Sequence, residues 1–213
     1  MRRLADLDAV TLDANGTLVE LADPVPELVR LLREHGVERT ADAVRRAFAA
    51  EGRVYAGRAA LAHRHDAFAA MQRECTGVFL AEAGVDTIDP SDFTPLYVGA
   101  MEFAPAPGVA EALARLQRCG LELAVVANFD LTLRGRLEEL RLDSWFTTIV
   151  TPADAGAAKP ERRIFELALE RLAVAPERAL HIGDGAVDEE GAAAAGMHFE
   201  WAPVPVAIER WTG

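Results

Sequence analysis

Hydrophobic positions along the chain follow two patterns, and the switches between them predict its organisation. Ala9-Val10-Thr11-Leu12 is a short, nearly continuous apolar run that stops at Asp13 and enters a turn, Ala14-Asn15-Gly16-Thr17. A run of that length bounded by turn residues predicts a buried strand. From residue 23 the spacing lengthens to threes and fours. Asp23-Pro24 starts a predicted helix carrying Val25, Leu28, Val29 and Leu32 and ending at Gly36, and Thr40 starts another with Val44 and Phe48. Leu61, Phe68, Met71, Cys75, Val78 and Phe79 predict a longer helix that ends near Gly84. Ser91 is the expected N-cap of a short helix bearing Phe93 and Leu96.

The pattern changes back after residues 103–108, whose prolines and glycine mark a boundary. A helix is predicted over 109–119, with Val109, Leu113 and Leu116 on one face. A strand follows over 121–127, with Asn128 at its tip. Helix 131–140, strand 147–151, helix 161–172, strand 179–183 and strand 198–201 continue the series, and residues 191–196 form an alanine-rich turn of helix. Strand-helix alternation predicts an α/β fold, a Rossmann-like parallel sheet with helices on both faces. The helical block interrupts that alternation, so the expected domains are an α/β core of residues 1–19 and 102–213 and an inserted α-helical body of residues 20–101. Hinges are expected near 19–22 and 103–107.

Composition adds exclusions. A chain of 213 residues holds one sizeable core, or a core with a small insertion. Thirty-four acidic against 22 basic residues give a net charge of -12, which repels nucleic acid and anionic membrane surfaces. Two acids in Leu4-Ala5-Asp6-Leu7-Asp8 break up any leader-like apolar stretch, and no apolar run approaches a membrane span, so a cytoplasmic location is expected. Cys75 and Cys119 stand in no metal-ligand spacing.

The candidate chemistry sits where strands end. Asp13, Asn128 and Asp184 each follow an apolar strand, and open parallel sheets bind ligands outside the carboxyl ends of their strands. In order and spacing, Asp13, Asn15 and Thr17, then Ala127, then Lys159 before Pro160, then Gly183-Asp184 with Asp188, resemble the four motifs of the haloacid dehalogenase-like superfamily. The resemblance covers almost the whole chain. Two catalytic positions depart from it: Asn15 stands where the family's phosphatases have a second acid, and Ala127 where they have Ser or Thr.

The resemblance implies a helical cap inserted between the first and second motifs. It implies Asp13 as nucleophile, Lys159 offsetting its charge beside a bound phosphate, and Mg²⁺ held by Asp13, Asp184 and the main-chain carbonyl of Asn15, with Asp188 in support. Thr17 and Asn128 are expected to hydrogen-bond the transferring group or hold the turn. An amide at Asn15 cannot transfer a proton at neutral pH, and that help is worth about 10²–10⁴ in rate. Ala127 forgoes a hydrogen bond worth about 1–2 kcal/mol.

Three functions remain open at this point. The first is Mg²⁺-dependent phosphatase chemistry on a small phosphorylated metabolite through an aspartyl-phosphate, in a monomer or homodimer. The second is a 2-haloacid dehalogenase-type hydrolase, because halide leaves without a proton. The third is a non-catalytic descendant that binds a ligand or partner. Arg53, Tyr55, Arg58, His63, Arg64, His65 and Arg73 form a basic and aromatic cluster suited to an anionic substrate or to a solvated helix face.

Overall fold

In a computed structural model that describes residues 3–58 and 65–211, the chain divides into two compact units, Met1–Glu20 with Ala104–Gly213, and Leu21–Phe103. The first unit is built on a five-stranded sheet. Its strands are β1 (Ala9–Leu12), β4 (Glu122–Val126), β5 (Thr148–Val150), β6 (Ala179–Gly183) and β7 (His198–Trp201), in the order β5-β4-β1-β6-β7. Every pairing is parallel. From β1 the chain works outward through β4 to β5, then crosses to β6 on the other side of β1. The order therefore reverses at β1, the kind of point where such sheets bind ligands.

Pleating sends alternate residues to opposite faces. Ala9, Ala124, Val126 and Ala179 lie on one face, in a core with Ile164, Phe165, Ala168 and Leu169 of helix α8 (Arg162–Leu172) and Ala192 of α9 (Ala186–Ala194). Small residues on the strands leave room for the larger side chains of α8. Val10, Leu12, Leu123, Val125, Leu180 and Ile182 occupy the alternate positions and are likewise buried.

The second unit consists of α1 (Val25–Glu34), α2 (Ala41–Arg58), α3 (His65–Glu82) and α4 (Pro90–Gly99). Leu28, Leu32, Val44, Phe79, Leu80, Phe93 and Tyr97 form its core. The Phe79 ring stacks on Phe93 with centroids 6.5 Å apart and meets Tyr97 at 4.8 Å.

Several sequence expectations change. The cap of α4 is Asp89 and not Ser91: the Asp89 carboxylate accepts the Ser91 N–H at 2.7 Å, because Pro90 takes the first helical position and the cap must precede it. Leu96 is exposed. Leu61, His63 and Arg64 lie outside the described residues, and the Arg58 guanidinium is engaged by Glu74. Two short strands absent from the sequence reading, β2 (Val19–Leu21) and β3 (Phe103–Pro105), pair as a separate ribbon. The predicted helices of the core include α5 (Val109–Arg118) and α6 (Leu133–Glu139), and the series also gains two short helices that begin at or just after prolines, α7 (Pro152–Ala155) and α10 (Val204–Glu209).

Candidate active site

Asp13 continues the ladder of β1 by one bond, its N–H donating to Ile182 O at 2.9 Å, before the chain turns. Ala14 O then accepts from Leu18 and Val19 (2.8 and 2.9 Å), which folds residues 14–19 into a tight loop. Gly16 stands in that loop with φ +81°, a left-handed conformation that glycine adopts without cost. A Cβ there would lie 2.1 Å from Asp184 Oδ2, so Gly16 also lets the β6 carboxylate approach the β1 turn.

Lys159 reaches the same place from beyond β5. Asn128, at the tip of β4, holds its backbone from both sides: Asn128 Nδ2 donates to Lys159 O at 2.9 Å, and Lys159 N–H donates to Asn128 Oδ1 at 2.8 Å. The side chain runs inward and its Nζ donates to Asp13 Oδ1 and, at 2.6 Å, to Asp188 Oδ1. All three side chains are almost wholly buried. Lys159 is also the only lysine in the chain, every other long cationic side chain being arginine.

Asp188 sits on the first turn of α9, above the glycine that ends β6. A Cβ on Gly183 would lie 2.4 Å from Asp188 Cγ. Besides Lys159, Asp188 accepts from His181 Nε2 (3.0 Å) on Oδ1 and from Gly185 N–H (3.1 Å) on Oδ2. Burial raises its pKa, but the His181 hydrogen bond and the Lys159 charge outweigh that and hold it below the usual carboxylate range. For Asp13 the balance is reversed. Burial pushes its pKa up, Lys159 offsets only part of the rise, and the Asp188 charge adds to it. Asp184 is raised too, first by burial and then by the Asp188 charge. One ammonium thus serves several acids.

Together Asp13, Asn15, Ala127, Asn128, Phe129, Lys159, Asp184, Gly185, Val187 and Asp188 line a cleft of about 210 Å³. Carboxylate oxygens of Asp13, Asp184 and Asp188 lie within 4.8 Å of one another. Three acids against one ammonium leave a surplus of negative charge, and an all-oxygen donor set is what a hard divalent cation takes. The residues present therefore fit a bound cation.

Of the residues singled out from the sequence, Asp13, Asn15, Asn128, Lys159, Asp184 and Asp188 meet at this cleft. Thr17 does not line it. Thr17 is buried in the turn, and its hydroxyl is the one buried side-chain polar atom without a hydrogen-bond partner among the described residues. Both ends of the Asn128 amide are committed to Lys159. Ala127 N–H is likewise spent on Val150 O, at 3.1 Å. Sequence reasoning missed His181, whose ring completes the Asp188 contacts; the one available signal is a histidine inside an otherwise apolar buried strand, Ala179-Leu180-His181-Ile182-Gly183.

A carboxylate-bearing turn after the first strand, a lysine from beyond the third strand of the sheet and paired acids after the fourth define a class. The chain belongs to the haloacid dehalogenase-like hydrolases, whose sequence profile matches residues 7–196. Haloacid dehalogenase-like hydrolase domain-containing protein 3 of Xenopus laevis is 41% identical over 100 residues, 46% of this chain and 41% of that protein. The match thus spans less than half the length of that relative. Phosphoglycolate phosphatase of Pseudomonas syringae pv. tomato is 29% identical over 194 residues, 88% of this chain and 66% of that protein. Among solved structures, a dehalogenase superposes with TM-score 0.68 at 25% identity, over 91% of this chain and 83% of the other.

Proposed function

We propose that the chain is a phosphatase-type hydrolase of a small phosphorylated metabolite, with Asp13 as its nucleophile. The observation that carries this reading is the Asp13 carboxylate at the mouth of the sheet, against the chain's one lysine and within 4.8 Å of two further acids. An Asp13 oxygen attacks phosphorus, the bond to the leaving oxygen breaks, and an aspartyl-phosphate forms; water then cleaves it, returning the carboxylate and releasing phosphate. Lys159 stabilises charge on the phosphoryl oxygens. Mg²⁺, held by Asp13, Asp184 and the Asn15 carbonyl, would when bound neutralise phosphate charge and favour the ionised form of Asp13. Asp188 supports the arrangement chiefly through Lys159, since three donors leave its carboxylate little capacity for a metal.

The leaving oxygen needs a proton, and Asn15 has none to give. Substrates with good leaving groups are therefore favoured. A cleft of about 210 Å³ with a single cation suits one phosphate on a small body. The same amide favours a second reading, carbon-halogen cleavage by Asp13, in which halide departs unprotonated. A Mg²⁺-dependent screen of phosphorylated metabolites and 2-haloacids against wild type and Asp13→Ala separates the readings. Phosphate release lost in Asp13→Ala supports the first, and metal-independent halide release supports the second. Ligand binding without turnover would replace both with a non-catalytic binding protein.

A further inference from the structure

Two buried polar side chains have no task in the reaction so far. Thr11 and His181 are fully buried, are register partners on β1 and β6, and share the sheet face covered by α8 and α9. An apolar pair would fill that position without any polar group to satisfy. The hydrogen-bond directions can be deduced. An ionised Asp188 only accepts, so His181 Nε2 donates to it at 3.0 Å. A neutral ring then has its lone pair on Nδ1, and the Thr11 hydroxyl donates there at 2.8 Å. Burial, which lowers the imidazole pKa, favours that neutral ring.

The ring is wedged in this orientation. Phe165 meets it edge-on at 4.9 Å and 90°, and Gly191 makes room for Phe165, since a Cβ there would lie 2.2 Å from the Phe165 ring. On β6 the face carrying His181 continues to Gly183, and the missing side chain at Gly183 opens the path by which Asp188 reaches the imidazole. Lysine is a long, flexible point charge, and among the described residues its head is placed here by two carboxylates. One of them, Asp13, exchanges partners when it attacks. Asp188 must then hold the ammonium in place.

We propose that His181, oriented by Thr11, is a positioning residue that fixes the Asp188 carboxylate and through it the Lys159 ammonium beside Asp13. Its effect on rate rests on the phosphatase reading, whereas its effect on Lys159 does not. Because Lys159 is the only lysine, protein labelled with ¹⁵N-lysine carries one side-chain ammonium signal. That signal is compared in wild type, His181→Leu and His181→Gln, alongside kcat and KM for Mg²⁺-dependent hydrolysis of p-nitrophenyl phosphate. In His181→Leu the signal is expected to shift and to exchange faster with water. kcat should fall about 10–100-fold, the range that follows loss of a hydrogen-bond partner behind a metal-ligating side chain, with KM within about threefold. His181→Gln restores a donor at the same reach and should recover most of both.

A folded His181→Leu protein with an unmoved ammonium signal overturns the proposal. So does a Gln variant as impaired as the Leu variant, which would make the ring mere packing. If wild type hydrolyses nothing, the phosphatase reading fails while the signal still decides where Lys159 is held. If His181→Leu does not fold, Thr11→Val takes its place, and an unmoved ammonium signal in Thr11→Val overturns the assignment.

Discussion

Asn15 is exposed at the cleft, on the loop that follows Asp13, and restoring a carboxyl there requires no repacking. Asn15→Asp is expected to raise turnover of phosphate esters with poor leaving groups by up to about 10²–10⁴, while esters with good leaving groups change far less. Steady-state rates across a series of leaving groups check this, and a flat response would show that proton delivery is not limiting. Asp184 is the second residue to test. It is the exposed member of the three acids and, unlike Asp188, is not tied down by Lys159 and His181. Asp184→Ala should abolish calorimetrically detectable Mg²⁺ binding, and unchanged affinity would remove Asp184 from the donor set.

Among the elements, the central strands were the most legible, because a buried parallel strand is written as a short apolar run that a turn cuts off; β1 and β6 stand where the sequence pattern placed them. Short elements were not legible. β2 and β3 are three residues each, too brief for any periodicity, and exist because the chain runs beside itself there. The contact between Thr11 and His181 was equally hidden: they are 170 positions apart, and only strand register brings them together. The site was legible as far as each acid or lysine followed a strand, and illegible in its hydrogen-bond directions.

The helical unit hides a further group of this kind. Glu51, on α2, is 5% exposed and accepts the Tyr97 hydroxyl at 2.9 Å; burial raises its pKa although Tyr97 and Cys75 partly counter that. A carboxyl whose folded-state pKa is raised binds its proton more tightly in the folded state. Its charge therefore costs stability as pH rises above the ordinary value of 4.5. Glu51→Gln should melt at the same temperature as wild type near about pH 4 and higher as pH rises from there, at ~4–8 °C for each kcal/mol regained in the helical unit's transition. Melting curves across that range check it, and a gap that closes with rising pH would reverse the sign.

At the scale of the molecule, two units with separate cores invite separate unfolding. All of the candidate metal donors belong to the α/β unit. Mg²⁺ at about a hundred times its Kd should therefore stabilise that unit by ~2.7 kcal/mol and leave the helical unit's transition where it was. Calorimetry with and without Mg²⁺ reads both, and an equal shift of both would locate the donors wrongly. Lys159 has a last consequence at this scale. Its side chain is 2% exposed and no other lysine is present, so an acylating reagent finds no side-chain amine on the folded chain. The rate at which an anhydride finally captures Lys159 is then a clock for the opening of this one crevice, and any anion that seats there should slow it.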